Sequence, residues 1–232
     1  MIDIHSHIIF GIDDGAVTLE HSCNMLREAH NSGVTAIIAT PHYKQDMYEA
    51  GLVQKNWEEL QGYADCFKIK LLAGCEMRMN AFLPEMVSGK KELALNKTRF
   101  ILIELPPDKI PSCSEDVFYR LRQNQFTPVI AHPERNRTLA GNFSLYKKWV
   151  EAGYLMQVDS ASILGHNGWK VKAFTKKIIK MKLIHFIASD AHDAYDYREY
   201  TGRAYERVVG WAGQEFAHSV YFKNAEDLLM KC

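Results

Sequence analysis

Residues able to bind a metal stand at the ends of apolar runs all along this chain. His5 and His7 close the run that begins at Ile2, His42 follows Thr35 to Ala39 in Thr40-Pro41-His42-Tyr43, and Glu76 follows Ile69 to Ala73 in Gly74-Cys75-Glu76. Glu104 closes Phe100 to Ile103, His132 closes Thr127 to Ala131, and Asp190 and His192 follow Ile184 to Ala188. His5 and His7, two residues apart, leave an extended chain on one face, as do Asp190 and His192 if their segment is extended. Each pair is then placed to chelate one ion or two neighbouring ions. Imidazole with carboxylate suits divalent Zn, Mn or Fe. Five histidines and at least three carboxylates exceed the needs of one four-coordinate zinc, which implies two or more ions sharing ligands and hydrolytic chemistry. Asp13 and Asp14, in Gly11-Ile12-Asp13-Asp14-Gly15, offer a further ligand near the first strand end.

A lone histidine at a strand end is more often a hydrogen-bonded surface residue, so joint placement carries the argument. His21 and His30 fall within a helix pattern, and His166, His185 and His218 follow no matching arrangement; all five read as surface or packing residues. Arg135, in His132-Pro133-Glu134-Arg135, and Arg198, six residues beyond His192, stand close to the same chain positions. A guanidinium presents a planar, always charged fork to phosphate, so metal ligands beside arginine point to a phosphorylated substrate. Arg137 and Arg203 are alternatives for that role.

The elements that must position these groups are strands alternating with helices. Seven strands are expected, at Ile2 to Ile4, Thr35 to Ala39, Ile69 to Ala73, Phe100 to Ile103, Thr127 to Ala131, Tyr154 to Val158 and Ile184 to Ala188. Several are continuously apolar, as strands of a parallel sheet covered on both faces are. Between them, Thr18 can cap a helix that Gly33 stops, Ser114 can cap another, and further helices are expected over Leu52 to Phe67, Leu145 to Ala152, Trp169 to Met181 and Arg203 to Trp211. Such alternation predicts an α/β fold, a closed or nearly closed parallel barrel, with an open doubly wound sheet as the competing architecture. In a barrel all strand C-termini open on one face, where these histidine and carboxylate side chains would converge. Length favours one large core without a domain boundary across residues 1–232.

Composition narrows the function classes. With 28 Lys plus Arg against 28 Asp plus Glu, the chain lacks the cationic surplus that neutralising a nucleic-acid backbone requires. No run approaches the roughly 20 apolar residues of a membrane helix. Met1 leads directly into Ile2-Asp3-Ile4-His5 without a charged and then apolar leader, so a soluble, cytoplasmic protein is expected. Cys23, Cys66, Cys75, Cys113 and Cys232 form no C-x-x-C pair, and none precedes the phosphate-cradling loop and arginine of a cysteine-based phosphatase, so reduced, structural thiols are expected.

The motifs Asp3-Ile4-His5-Ser6-His7, Asp13-Asp14-Gly15, Thr40-Pro41-His42-Tyr43, Gly74-Cys75-Glu76, Ile103-Glu104-Leu105-Pro106, Ile130-Ala131-His132-Pro133-Glu134-Arg135 and Ser189-Asp190-Ala191-His192 resemble, in order, those of the polymerase-and-histidinol-phosphatase (PHP) superfamily. More narrowly, they are similar to those of the bacterial manganese-dependent tyrosine phosphatases of capsular and extracellular polysaccharide synthesis. The resemblance implies a distorted seven-stranded β/α barrel with three metal ions per chain, Mn with Fe or Zn as alternatives. It places His5, His7, Glu76 and Asp190 on one ion, Glu76, Glu104 and His132 on a second, and Asp14, His42 and His192 on a third, with Arg135 and Arg198 on phosphate. It further implies a phosphotyrosine protein as substrate, a tyrosine autokinase with a Tyr-rich tail as partner, and in-line attack by a water whose pKa the ions lower toward about 7. Cys75 and Gln157-Val158-Asp159-Ser160-Ala161 depart from the usual pattern but leave the ligand set intact. A small-molecule phosphatase, such as one for histidinol phosphate, and a metal-binding regulatory module without turnover are the rival readings.

Overall fold

The computed structural model describes residues 1–43 and 49–229; Cys232 lies outside the described residues. All seven expected strands are present, and two short ones join them. In chain order they are β1 (Ile2–Ser6), β2 (Ala36–Ala39), β3 (His42–Tyr43), β4 (Lys70–Ala73), β5 (Glu76–Arg78), β6 (Phe100–Glu104), β7 (Thr127–Ala131), β8 (Leu155–Asp159) and β9 (Phe186–Ala188). Every pairing is parallel, which accounts for the continuous apolar runs, since helices cover the outer face.

The expected single sheet of seven strands is corrected in one respect. The described strands form a three-stranded sheet, β1-β2-β4, and a six-stranded sheet, β3-β5-β6-β7-β8-β9. The break falls at Thr40-Pro41 and at Gly74-Cys75. Pro41 has no N–H to give to a ladder, while its carbonyl accepts from Glu76 N at 3.1 Å. A Cβ on Gly74 would stand only 3.2 Å from Ile38 and Leu95, so the chain passes there at a separation that a larger residue could share only if those neighbours gave way. An isolated parallel bridge, Ser6 to Ala191, links β1 to the chain beyond β9.

The helices follow the expected pattern closely. Thr18 caps Leu19–Asn31 by accepting from His21 N. Ser114 is not a cap: it opens helix Ser114–Gln123, and its hydroxyl donates to Pro111 O at 2.7 Å. Ala50–Cys66, Phe143–Glu151, Trp169–Lys180 and Gly202–Ala212 match the remaining expectations within two residues. Short helices at Ser160–Leu164 and Gln214–His218 were not expected; runs of five residues are too brief for a 3.6-residue period to be read.

Alternate strand residues meet in one apolar cluster: Ile2 and Ile4, Ala36 and Ile38, Phe100 and Leu102, Val129 and Ala131, Phe186 and Ala188. The intervening residues, such as Ile37, Ile101, Ile103 and Ile130, pack with the helices in a larger cluster. On β8, Leu155 borders the first cluster. Gln157 and Asp159 continue up that face as buried polar residues, so polarity replaces packing at the C-terminal end of the strand.

Candidate metal centre

At the strand C-termini the imidazoles of His5 and His7 point their Nε2 atoms at one another across 3.2 Å. His5 Nε2 lies 3.1 Å from Asp190 Oδ1 and 3.4 Å from Glu76 Oε2, and His7 Nε2 lies 3.3 and 3.5 Å from the same two oxygens. His132 Nε2 meets Glu76 Oε1 at 3.1 Å, and His42 Nδ1 meets Glu76 Oε2 at 2.9 Å. Around this centre, atoms close enough to share an ion come together in four groups: His5, His7 and Asp190; His5, Glu76 and His132; His42, Glu76 and Glu104; and His7, Asp14, His42 and His192. Each of the nine residues expected as ligands belongs to at least one group. Glu104 gathers with His42 and Glu76 rather than with His132, and His7 reaches a second group.

The surrounding hydrogen bonds set the ring tautomers. Gln157 donates its Nε2 to Asp159 Oδ1, an acceptor only, which turns its Oε1 toward His5 Nδ1 at 2.9 Å. His5 Nδ1 therefore holds its proton toward Gln157, which leaves Nε2 as the nitrogen that would give up its proton to a metal in the cluster. Asp13 Oδ2 does the same for His7 Nδ1 at 2.7 Å, and the Asp190 carbonyl for His192 Nδ1 at 2.8 Å. Buried imidazoles facing buried carboxylates are a donor set fitted to divalent cations, which would take the place of the protons now shared between them. Asp13, considered from sequence as another ligand, instead orients His7 and accepts from His42 N and Gly15 N.

Electrostatics follow from the crowding. Burial alone would raise the Glu76 carboxyl, but His5, His132 and His42 hold it well below the usual carboxylate range. Burial opposes charge on His5, yet Glu76 and Asp190 lift it to about 9. Burial likewise works against ionised Asp190, and His5, His7 and His132 overcome it, leaving its pKa low. Two of these residues sit in left-handed backbone, His132 at φ 30° and Asp190 at φ 50°, a conformation unfavourable for residues other than glycine that clusters at functional sites. Because Asp190 leaves the extended region, it and His192 do not share one face as an extended chain would require. They enter different groups.

Arg135 reaches the centre: its Nη1 contacts Asp159 Oδ2 at 3.0 Å and Asp190 Oδ2 at 2.6 Å. Burial disfavours its charge, but Asp159 and Asp190 raise its pKa further above the ordinary value. Arg198 is not brought to the centre: its exposed side chain lies over the Tyr195 ring at 5.5 Å and beside Glu199, and it is not among the residues that line the cavity holding Asp190 and His192. Arg137 pairs with Asp108 and Arg203 with Glu199. Among the five histidines set aside, His21, His30, His185 and His218 make local contacts with Val17, Phe67, Met156 and Phe222. His166 differs: it bonds Tyr200 and lines a small cavity with Arg135, Asp190 and His192. Sequence reasoning passed over Gln157 and Asp159 as orienting residues. Their alternation at the end of an expected strand, the pattern that picked out His5 and His7, was the available signal.

The family model for capsular polysaccharide synthesis, CpsB/CapC, matches residues 1–230. The tyrosine-protein phosphatase YwqE of Bacillus subtilis is 37% identical over 99% of this chain and 91% of its own length. The tyrosine-protein phosphatase CpsB of Streptococcus agalactiae is 30% identical over 99% and 98%. A crystal structure from work on YwqE of Bacillus subtilis and CpsB of Streptococcus pneumoniae, described as unique metal-dependent tyrosine phosphatases, superposes with a TM-score of 0.91 at 38% identity, covering 99% of this chain and 94% of that one.

Proposed function

The chain belongs to the CpsB/CapC family of capsular polysaccharide synthesis, and from that premise we propose that it is a metal-dependent phosphatase acting on phosphotyrosine in proteins. The observation that carries the proposal is the convergence of His5, His7, Glu76 and Asp190 beside the Arg135 guanidinium. A structure described among metal-dependent tyrosine phosphatases superposes on this chain over nearly its whole length.

His5, His7, Glu76 and Asp190 would hold one ion, Glu76 and His132 a second, Asp14, His42 and His192 a third, with Glu104 completing the set beside Glu76. When bound, the ions, Mn foremost, supply Lewis acidity to the phosphoryl oxygens and activate water for in-line displacement. The chain's own groups prepare that chemistry. Gln157 and Asp13 keep His5 and His7 in one tautomer. Asp159 and Asp190 grip Arg135 through Nη1, which would leave its other N–H groups for phosphate oxygens. Arg198 would be the second arginine on the phosphate, which requires it to leave Tyr195 and Glu199. The phenolate leaving group has a pKa near 10, so it departs with little proton donation.

The alternating interior cluster and the Ser6 to Ala191 bridge support reading the two sheets as one distorted barrel of seven strand rows, and residues 1–232 as one domain. No helix among the described residues is long and apolar enough to cross a membrane, in keeping with action in the cytoplasm. A tyrosine autokinase governing polysaccharide synthesis is the substrate this family context favours. Hydrolysis of a phosphotyrosine peptide by the Mn-loaded protein, lost on chelation and weaker on the phosphoserine peptide, tests the reading; no hydrolysis of phosphotyrosine with metal bound would reject it.

A further inference from the structure

A groove leads away from the metal centre, and two side chains join them. Arg135 and Asn167 line both the small cavity that holds Asp190 and His192 and a larger cavity of about 690 Å³. The larger one runs between Arg137–Gly141 and the start of helix Trp169–Lys180, with Ala140, Val171 and Phe174 among its apolar lining. Trp169 stands beside it 76% exposed, the most exposed of the large apolar residues among those described, and the Lys170 ammonium lies 5.7 Å from its ring centroid. A bare indole costs solubility and serves recognition when a partner covers it.

The side chains that line this groove are mostly basic. Arg135, Arg137 and Lys170 stand against Glu134, which is 1% exposed; Arg135 is held by Asp159 and Asp190, Arg137 pairs with the exposed Asp108, and the Lys170 ammonium lies over Trp169. Helix Trp169–Lys180 lies in the stretch Ser160 to Ser189, which holds six lysines and no Asp or Glu in a chain whose net charge is zero. Gly168 gives that helix no side-chain cap, so the unpaired N–H groups of its first turn add to the positive potential.

We propose that this groove binds the polypeptide flanking the phosphotyrosine, taking an acidic residue against Lys170 and Arg137 and an apolar side chain against Trp169 and Phe174. The inference rests on the tyrosine phosphatase reading and adds to it the class of sequence preferred. The continuity through Arg135 and Asn167 lets one extended chain occupy the catalytic mouth and the groove together. A small aryl phosphate fills only the mouth and is blind to the groove.

The test compares the Mn-loaded protein on three substrates: a phosphotyrosine peptide with Glu flanks, the same peptide with Lys flanks, and p-nitrophenyl phosphate. The acidic peptide should exceed the lysine peptide about tenfold in kcat/KM, mostly through KM. Lys170→Glu should erase or invert that preference, and Trp169→Ala should lower the ratio of peptide to aryl phosphate efficiency about tenfold, with folding confirmed by circular dichroism. Equal use of both peptides by the wild type, or unchanged ratios in both variants, overturns the groove while leaving a tyrosine phosphatase standing. Hydrolysis of the aryl phosphate with no hydrolysis of either peptide overturns both.

Discussion

Gln157 Oε1 stands 2.9 Å from His5 Nδ1 and joins side chains 152 residues apart. Through that one bond, β8 decides which nitrogen of His5 faces Glu76 and Asp190. Gln157→Leu should therefore weaken metal binding by about 10- to 100-fold in a folded protein. Gln157→Glu keeps an acceptor oxygen and should lose less. Metal titration followed by calorimetry measures both, and wild-type affinity in the leucine variant would refute the orienting role.

Arg135→Ala should keep its metal and lose activity by about 100- to 1,000-fold, as removal of one preorganised charge-stabilising donor does. Arg135→Lys should recover part of the loss, because a point charge cannot grip Asp159 and phosphate as a planar fork can. Metal content, inhibition by inorganic phosphate and peptide kinetics separate the outcomes. Undiminished phosphate inhibition in the alanine variant would remove Arg135 from the phosphate site.

Thiols should be dispensable. Cys75 is buried, Cys23 and Cys113 are partly buried, and only Cys66 of the four described cysteines is exposed, while burial pushes the Cys23 thiol up. Alkylation of accessible cysteine should leave turnover nearly intact, whereas chelator should abolish it and Mn restore it. Loss of turnover in a folded variant with all five cysteines changed to serine would reverse this assignment.

His185 predicts part of the pH dependence of stability. Burial holds its imidazole below the ordinary value, and its Nδ1 accepts from Met156 N at 3.0 Å. As pH falls through about 6.5, the unfolded chain takes up the proton before the folded one, so stability present above that pH is lost toward the lower folded value. His185→Asn keeps an acceptor without titrating. Urea unfolding of metal-stripped protein at about pH 7.5 and about pH 5 should show a smaller stability loss in the variant than in the wild type, and equal losses would contradict the argument.

The convergence of these side chains was legible in sequence because parallel strands bring every C-terminus to one face, so residues as distant as His5 and Asp190 could be brought together from position. The division into two sheets was not, because Pro41 and Gly74 act through tertiary contacts, Glu76 on one side and Leu95 on the other. Asp190's left-handed backbone escaped for the same reason: it is imposed by surrounding structure, including the bond from Asp190 N to His5 O at 2.9 Å. Gln157 and Asp159 were visible as residues but lay in a strand end without a metal-type histidine to draw the eye. His166 was set aside as ordinary and proved to border the site, since nothing local to Gly165-His166-Asn167 signals which loops meet at the mouth.

Glu76 gives the central claim its most direct test, because its two oxygens touch His5, His7, His42 and His132 and no other carboxylate among the described residues touches so many of the expected ligands. Metal content should be measured by plasma mass spectrometry beside phosphotyrosine-peptide hydrolysis for wild type, Glu76→Ala and the remote control His21→Ala. The account predicts that Glu76→Ala loses bound metal and activity together while His21→Ala keeps both. A folded Glu76→Ala protein with wild-type metal content, or with wild-type turnover, would contradict it.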